Sequence, residues 1–257
     1  EPECKTIGSA RICQNDWRAH AVCDTVSSVG EGFDGSATVM TAPSLTRCDE
    51  GFVLDNGLIR ATVCDDGTVS SLVLVESGRE VVPRGERLGR YLLLNDKPSR
   101  YDSWEIERDA FLSPSDASYD VVVTPIADIS SAGGRAGDGA GSVGVEVRAR
   151  IGRASSVVTR IGLAVGSAGL DFRTSVDWNE TDRLLKVDLP LAVQASQAVY
   201  ECQYGTVSRP IAKNTEADEA KFESCTHRFV HVGEGGFGVG LVNASTYGAS
   251  AFPVYAD

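Results

Sequence analysis

The sequence predicts an all-β protein, a large sandwich of two stacked antiparallel sheets with little helix. Three observations lead there. From Val143 to Ile151, apolar Val143, Val145, Val147, Ala149 and Ile151 alternate with Gly144, Glu146, Arg148 and Arg150. From Leu170 to Trp178, Leu170, Phe172, Thr174, Val176 and Trp178 alternate with Asp171, Arg173, Ser175 and Asp177. Period-two alternation puts the apolar side chains on one face of a pleated ribbon, as a half-buried antiparallel strand requires. Third, turn signals punctuate the short runs. Asp65-Asp66-Gly67 separates 58–64 from 68–75, and Ser77-Gly78 follows one strand later. Glycine at such points supplies the left-handed backbone of a tight hairpin.

The elements follow in chain order. Residues 1–45 are weakly patterned and read as trailing strands of a preceding small β region, ended by Thr41-Ala42-Pro43. The large sandwich is expected over 46–257. The opening Glu1-Pro2-Glu3, without an initial Met, reads as a piece of a longer polypeptide. Residues 58–64 and 68–75 form the hairpin just named, and 119–125 and 155–165 add further strands. Residues 130–142 are Gly-rich. No Lys-Ser/Thr ends that run and no helix pattern follows it, so a hairpin tip is expected rather than a phosphate cradle. Only 216–224 reads as a short helix. Val145, Val147, Ile161, Leu163, Phe172, Val176, Leu185 and Trp178 are the expected core.

Composition narrows the function. The chain of 257 residues carries 36 acidic and 24 basic side chains, a net charge of −12. That balance argues against a nucleic-acid partner, which needs a basic face. No apolar run approaches the roughly 20 residues that span a bilayer, so no membrane partner is expected. The seven cysteines (Cys4, Cys13, Cys23, Cys48, Cys64, Cys202, Cys225) are irregularly spaced and include no C-x-x-C pair. Free thiols in a cytoplasmic protein are the expectation.

Several chemistries find no seat. His227 and His231 have i,i+4 spacing. Their neighbours Phe229, Val230 and Val232 favour a strand, on which the two imidazoles stand roughly 13 Å apart, too far to share one ion. No G-x-S-x-G elbow occurs, and no cysteine stands in an obviously basic setting. What stands out is Asp96, Tyr101, Asp102, Trp104 and Glu105 within one short run around Pro98. Rings stack on the apolar faces of a sugar while carboxylates accept from its hydroxyls. The competing reading is a loop with Trp104 in the core and Asp102 capping backbone amides. A second segment, Val207 to Thr215, is broken by Pro210 and offers Arg209, Lys213 and Asn214 to an anion or to sugar hydroxyls.

A series of blocks in order resembles the large β domain of the α-mannosidases of glycoside hydrolase family 38. It begins with Leu54-Asp55-Asn56-Gly57-Leu58-Ile59-Arg60 and Asp66-Gly67-Thr68, then Glu76-Ser77-Gly78-Arg79-Glu80. Asn95 to Pro98 and Tyr101 to Glu105 follow, then Asp177-Trp178-Asn179-Glu180 with Leu184 to Val187. It continues through Tyr204-Gly205, Arg209-Pro210, Asn214-Thr215, Ala220 to Glu223 and His227-Arg228. It closes with Phe237 to Asn243 and Tyr247-Gly248, so the likeness covers about residues 50 to 250. The chain departs from the family where Phe229 and His231 replace its Trp and acidic residue. It departs again at Asn243-Ala244-Ser245-Thr246, which stands for Asn-Asp-Ser-Lys.

The resemblance implies a galactose-mutarotase-like supersandwich, truncated before the family's C-terminal strands. It implies a parent that hydrolyses α-mannosides with retention, using two aspartates and zinc held by other domains. For this segment it implies no catalytic residue, no metal ligand and no cofactor. The expected partners are the rest of its own polypeptide (catalytic and helical domains) and a mannose-containing carbohydrate, in a parent that can be a homo-oligomer. Asp96, Tyr101, Asp102, Trp104, Arg209 and Asn214 are the candidates for the rim of the sugar site. A stand-alone carbohydrate-binding sandwich without hydrolase activity is the alternative.

Overall fold

The computed structural model describes the backbone of residues 15–22 and residues 41–101, 105–112, 114–127, 141–243 and 247–253. The first strands are β1 (Asn15–Val22), β2 (Ser44–Arg47), β3 (Gly51–Asp55), β4 (Ile59–Cys64), β5 (Val69–Leu74) and β6 (Arg79–Glu80). Next come β7 (Arg90–Asn95), β8 (Ser115–Asp116), β9 (Ser118–Ile126), β10 (Ser142–Ile151), β11 (Ser155–Ala164) and β12 (Gly169–Asp177). The last are β13 (Arg183–Asp188), β14 (Gln197–Cys202), β15 (Gly205–Pro210), β16 (Ser224–Cys225), β17 (Phe229–Glu234), β18 (Phe237–Asn243) and β19 (Gly248–Ala249). Among the described residues, helix is confined to a 3-10 turn at Arg108–Leu112 and to α1 (Glu216–Glu219).

One layer is a nine-stranded sheet in the order β15-β14-β17-β18-β1-β12-β11-β10-β9. The opposing layer is divided between a five-stranded sheet, β2 to β6 in sequence, and a three-stranded sheet, β13-β7-β8. A two-stranded pair, β16-β19, completes the fold. The strand pairs of these sheets are antiparallel.

Two apolar clusters join the layers, and a third lies against the large sheet alone. In the first, Leu54, Ile59, Ala61, Val63 and Leu72 of the five-stranded sheet meet Val145, Ile161, Leu163 and Phe172 of the large sheet. In the second, Tyr91, Leu94, Leu184 and Leu185 of the three-stranded sheet meet Ala149, Ile151 and Val157. The third gathers Ala198, Tyr200, Ile211 and Ala249 under the large sheet's far edge. A hydroxyl triangle sits inside the sandwich. Tyr91 Oη lies 2.7 Å from Thr159 Oγ1 and 3.1 Å from Thr174 Oγ1, and the two threonines are 3.1 Å apart. Each hydroxyl is therefore satisfied within the apolar interior.

The all-β sandwich and the alternating strands agree with the sequence, and Val145, Val147, Ile161, Leu163, Phe172 and Leu185 are buried. Three expectations are corrected. Val176 and Trp178 are only half-buried against the second cluster, because β12 ends at Asp177 and the ring stands on the outgoing turn. The helix expected over 216–224 shrinks to four residues, since it has no buried face to hold further turns against the sheet. Residues 15–22, expected in a preceding unit, run between β12 and β18 in the large sheet. Their alternation is short and rests on the small residues Ala19 and Ala21. Cys48, Cys64, Cys202 and Cys225 are free thiols. Cys4, Cys13, Cys23 and most of the Gly-rich run lie outside the described residues.

The β10–β11 hairpin is closed by a carboxylate from outside it. Gly152 adopts φ +60, and a Cβ there would stand 2.6 Å from Glu180 Cδ. Glu180 Oε1 accepts from the N–H groups of Arg153 and Ala154, each at 2.8 Å, and from Ser155 Oγ at 3.0 Å. Burial raises the Glu180 carboxyl, but these donors outweigh it and hold it below its ordinary value. Charge-assisted bonds of this kind contribute about 1.5–3 kcal/mol. Glu180→Ala should therefore cost about 2–3 kcal/mol in urea titration at pH 7. A group whose folded pKa is depressed stabilises fully above its unfolded pKa, about 4.3 for Glu, and ceases to do so as pH falls through the folded value. The gap between wild type and variant should accordingly narrow below about pH 4. A gap that does not change with pH would contradict this role.

Candidate functional site

The aromatic-acidic block begins where β7 ends. β7 pairs with β13 in the register Arg183↔Asn95 to Asp188↔Arg90, and this pairing delivers Asp96 to the strand end. Asp96 is 4% exposed, and its N–H donates to the Asp182 carbonyl at 3.0 Å. The chain then folds back on itself. Ser99 N–H donates to Glu107 Oε1 at 2.7 Å, and Glu105 N–H donates to the Tyr101 carbonyl at 3.0 Å. The bonds from Ser99 hold the Glu107 carboxyl below its ordinary range. Tyr101 is 50% exposed, with the Arg100 guanidinium 5.4 Å from its ring centre. Asp102 and Trp104 lie outside the described residues.

The second predicted segment leaves the edge strand β15 at Arg209-Pro210. Arg209 is half-buried and Asn214 is exposed. Thr215 caps α1: its Oγ1 accepts from Asp218 N–H at 3.1 Å and donates to Asp218 Oδ2 at 2.8 Å. Such caps fix where the first turn starts. The chain then turns inward through Phe222, Glu223 and Ser224.

The two segments meet, although not through the residues that the sequence singles out. Arg108 Nη1 lies 2.9 Å from Glu219 Oε2, and the rings of Phe111 and Phe222 are 5.2 Å apart. Beneath them lies Lys186 of β13, 6% exposed, with Nζ 3.0 Å from Glu223 Oε2 and 4.5 Å from the Phe111 ring centre. Burial pushes the Lys186 amine down, outweighing the pull of Glu223, and pushes the Glu223 carboxyl up. Burial also raises the neighbouring Tyr200 phenol, whose hydroxyl bonds to Ser224.

Lys186, Phe111, Phe222 and Glu223 were therefore missed by residue-type reasoning. The one available signal was a lone lysine in the apolar run Leu184-Leu185-Lys186-Val187. A second missed group stands at the end of the large sheet. Tyr204, wholly exposed at the β14–β15 turn, holds φ +65, a strained conformation for a non-glycine residue. Glu201 Oε2 accepts the Arg228 N–H at 2.7 Å, and the His227 ring stands edge-on to Tyr247 at 6.1 Å. His227 and His231 do not share a metal-binding cluster: among the described residues no three of His, Cys, Asp and Glu converge to hold a metal.

The antiparallel sheets stacked in two layers define the class, a large β-sandwich domain. A family model described as the glycosyl hydrolases family 38 C-terminal domain matches residues 54–256, and the chain belongs to that family. It is 35% identical over 202 residues to alpha-mannosidase 2C1 of Homo sapiens, covering 79% of this chain and 19% of that protein. It is 30% identical over 208 residues to alpha-mannosidase G of Dictyostelium discoideum, covering 77% of this chain and 18% of that protein. The chain thus spans about a fifth of the length of these relatives. An alpha-mannosidase from Enterococcus faecalis V583 shares the fold, with a TM-score of 0.53 and 12% identity. The match covers 75% of this chain and 29% of that one.

Proposed function

We propose that this chain is the non-catalytic β-sandwich segment of an α-mannosidase that hydrolyses α-mannosides with retention, supporting its catalytic domain and shaping the rim of the sugar site. The observation that carries this reading is the family match over residues 54–256 in a chain spanning 19% of its human relative. A retaining enzyme needs two carboxylates about 5 Å apart across the scissile bond. We assign that pair, and a zinc site, to the polypeptide outside this chain. The described residues bring no ligand set together that fits a metal. The segment's partners are then the remainder of its own polypeptide and a mannose-containing carbohydrate, in a cytoplasmic enzyme.

In this reading the chain's own residues bind and orient. The half-exposed Tyr101 ring is a stacking wall for a sugar face. Asp102 is the candidate to accept from a hydroxyl, Trp104 is a further rim candidate, and buried Asp96 anchors the start of the loop. Arg209 and Asn214 border the same rim from the second segment.

Two measurements test this. The purified 257-residue chain should not turn over an aryl α-mannoside; turnover that survives repurification would overturn the assignment. In the full-length polypeptide, Asp102→Asn should lower kcat/KM by about ten-fold or more, the effect of losing one charge-assisted hydrogen bond, with Tm nearly unchanged. A lowered Tm with intact kinetics would make Asp102 a structural cap and remove it from the rim.

A further inference from the structure

We propose that Lys186 is a positioning residue that locks residues 105–112 and the 209–224 segment against each other at the base of one rim. The inference deepens the rim assignment above and, in its sugar-binding consequence, rests on it. Lys186 belongs to neither segment. It stands on β13 of the three-stranded sheet and is the point where both converge. Its ammonium contacts Glu223 of one segment and the face of Phe111 of the other. A desolvated ammonium over an aromatic face, with a carboxylate at hydrogen-bond distance, is a directional contact that fixes both partners at once. Above it the segments touch directly through Phe111–Phe222 and Arg108–Glu219. The ion pair there is half-exposed and screened, so it holds little by itself.

The order imposed at Phe111 reaches the predicted rim through short links. Ala110 N–H donates to the Glu107 carbonyl at 3.0 Å, and Glu107 closes the loop through Ser99. On the other side, Glu223 lies a few residues beyond the capped turn at Thr215 that follows Asn214.

An apolar residue would fill this space without bringing a charge out of water. Buried pairs of this kind commonly add no stability over a matched apolar pair. A lysine here is better accounted for by the geometry that it enforces. The two rings and the two chains around them could slide against a methyl surface, but not against a paired ammonium.

The test is the double variant Lys186→Met/Glu223→Leu, which keeps the volume and removes the pair. Hydrogen exchange by mass spectrometry on the 257-residue chain should show peptides from 105–112 and from 211–222 both exchanging about ten-fold faster or more, while the β10–β12 peptides stay unchanged. Faster exchange in only one segment, or in neither, overturns the coupling. The full-length polypeptide supplies an independent arm. There the same variant should raise KM for an aryl α-mannoside about ten-fold while kcat stays within about two-fold, the pattern for lost positioning of bound substrate. If both segments loosen and KM does not move, the coupling stands and the sugar-rim assignment is overturned.

Discussion

Asn56→Ala is expected to lower the unfolding free energy by about 3–5 kcal/mol, the upper end of the range for a single substitution. Asn56 is 2% exposed and uses both ends of its amide. Nδ2 donates to the carbonyls of Ala164 and Ser167, each at 2.8 Å. Oδ1 accepts from the N–H groups of Leu58 and Ile59, each at 3.0 Å. The first two bonds reach the β11–β12 turn of the large sheet, and the other two shape the β3–β4 turn of the five-stranded sheet. One side chain therefore staples the two layers and satisfies four backbone groups. Alanine leaves those groups without this partner, and each unsatisfied buried group costs about 1–3 kcal/mol, not fully additively.

Asn56→Asp separates the two halves of the role. Its carboxylate keeps the acceptor of the turn but sets negative charge against two carbonyl oxygens. Burial and that repulsion raise its folded pKa above the unfolded value of about 3.9. Stability is then lost as pH rises through the folded pKa, so this variant should be weaker at pH 7 than at pH 4. Urea titrations at both values check it. A loss below about 1 kcal/mol for Asn56→Ala would mean that water replaces the amide, and the staple would be discarded.

How much of this was legible in the sequence depended on which faces each element buries. β10 and β12 alternate cleanly because one side of each meets the core, and the large sheet could be read from them. β13 could not be placed this way. Leu184, Leu185 and Lys186 are buried in succession, so both of its faces are covered and no period survives. Asn56 was visible only as a turn residue, because the groups it staples lie 108 and 111 positions away. The same holds for the candidate site. Asp96 and Tyr101, like Arg209 and Asn214, could be chosen by residue type and by proximity to Pro98 and Pro210. Their connection runs through Arg108–Glu219, 111 positions apart, and through Phe111, Phe222 and Lys186. Spacing along one chain does not encode such a meeting; the register of β13 on β7 does.

Breaking the buried pair from one side should be as costly as removing the staple. Lys186→Met removes the cation beside the buried Glu223 carboxylate, and Glu223→Gln removes the carboxylate beside the buried Lys186 ammonium. The side chains are 8% and 15% exposed, so water can compensate neither group well. Each single substitution is expected to cost about 3–5 kcal/mol at pH 7, the range for breaking a buried ion pair by removing one member. The double variant Lys186→Met/Glu223→Leu should instead lie within about 1 kcal/mol of wild type or above it, since an apolar pair of similar volume carries no desolvation cost. The two single variants should also respond to pH in opposite directions. In Lys186→Met the Glu223 carboxyl, already raised by burial, loses the attraction that opposed the shift. That variant should regain stability as pH falls from neutral through the raised folded pKa towards the unfolded value of about 4.3. In Glu223→Gln the Lys186 amine, already lowered by burial, loses its partner. This variant should regain stability as pH rises through the lowered folded pKa towards the unfolded value of about 10.4. Chemical denaturation of the four proteins across pH closes the cycle. Single and double substitutions with additive costs would show that the two groups act separately, and Lys186 would then be an ordinary buried cation rather than the node of the rim.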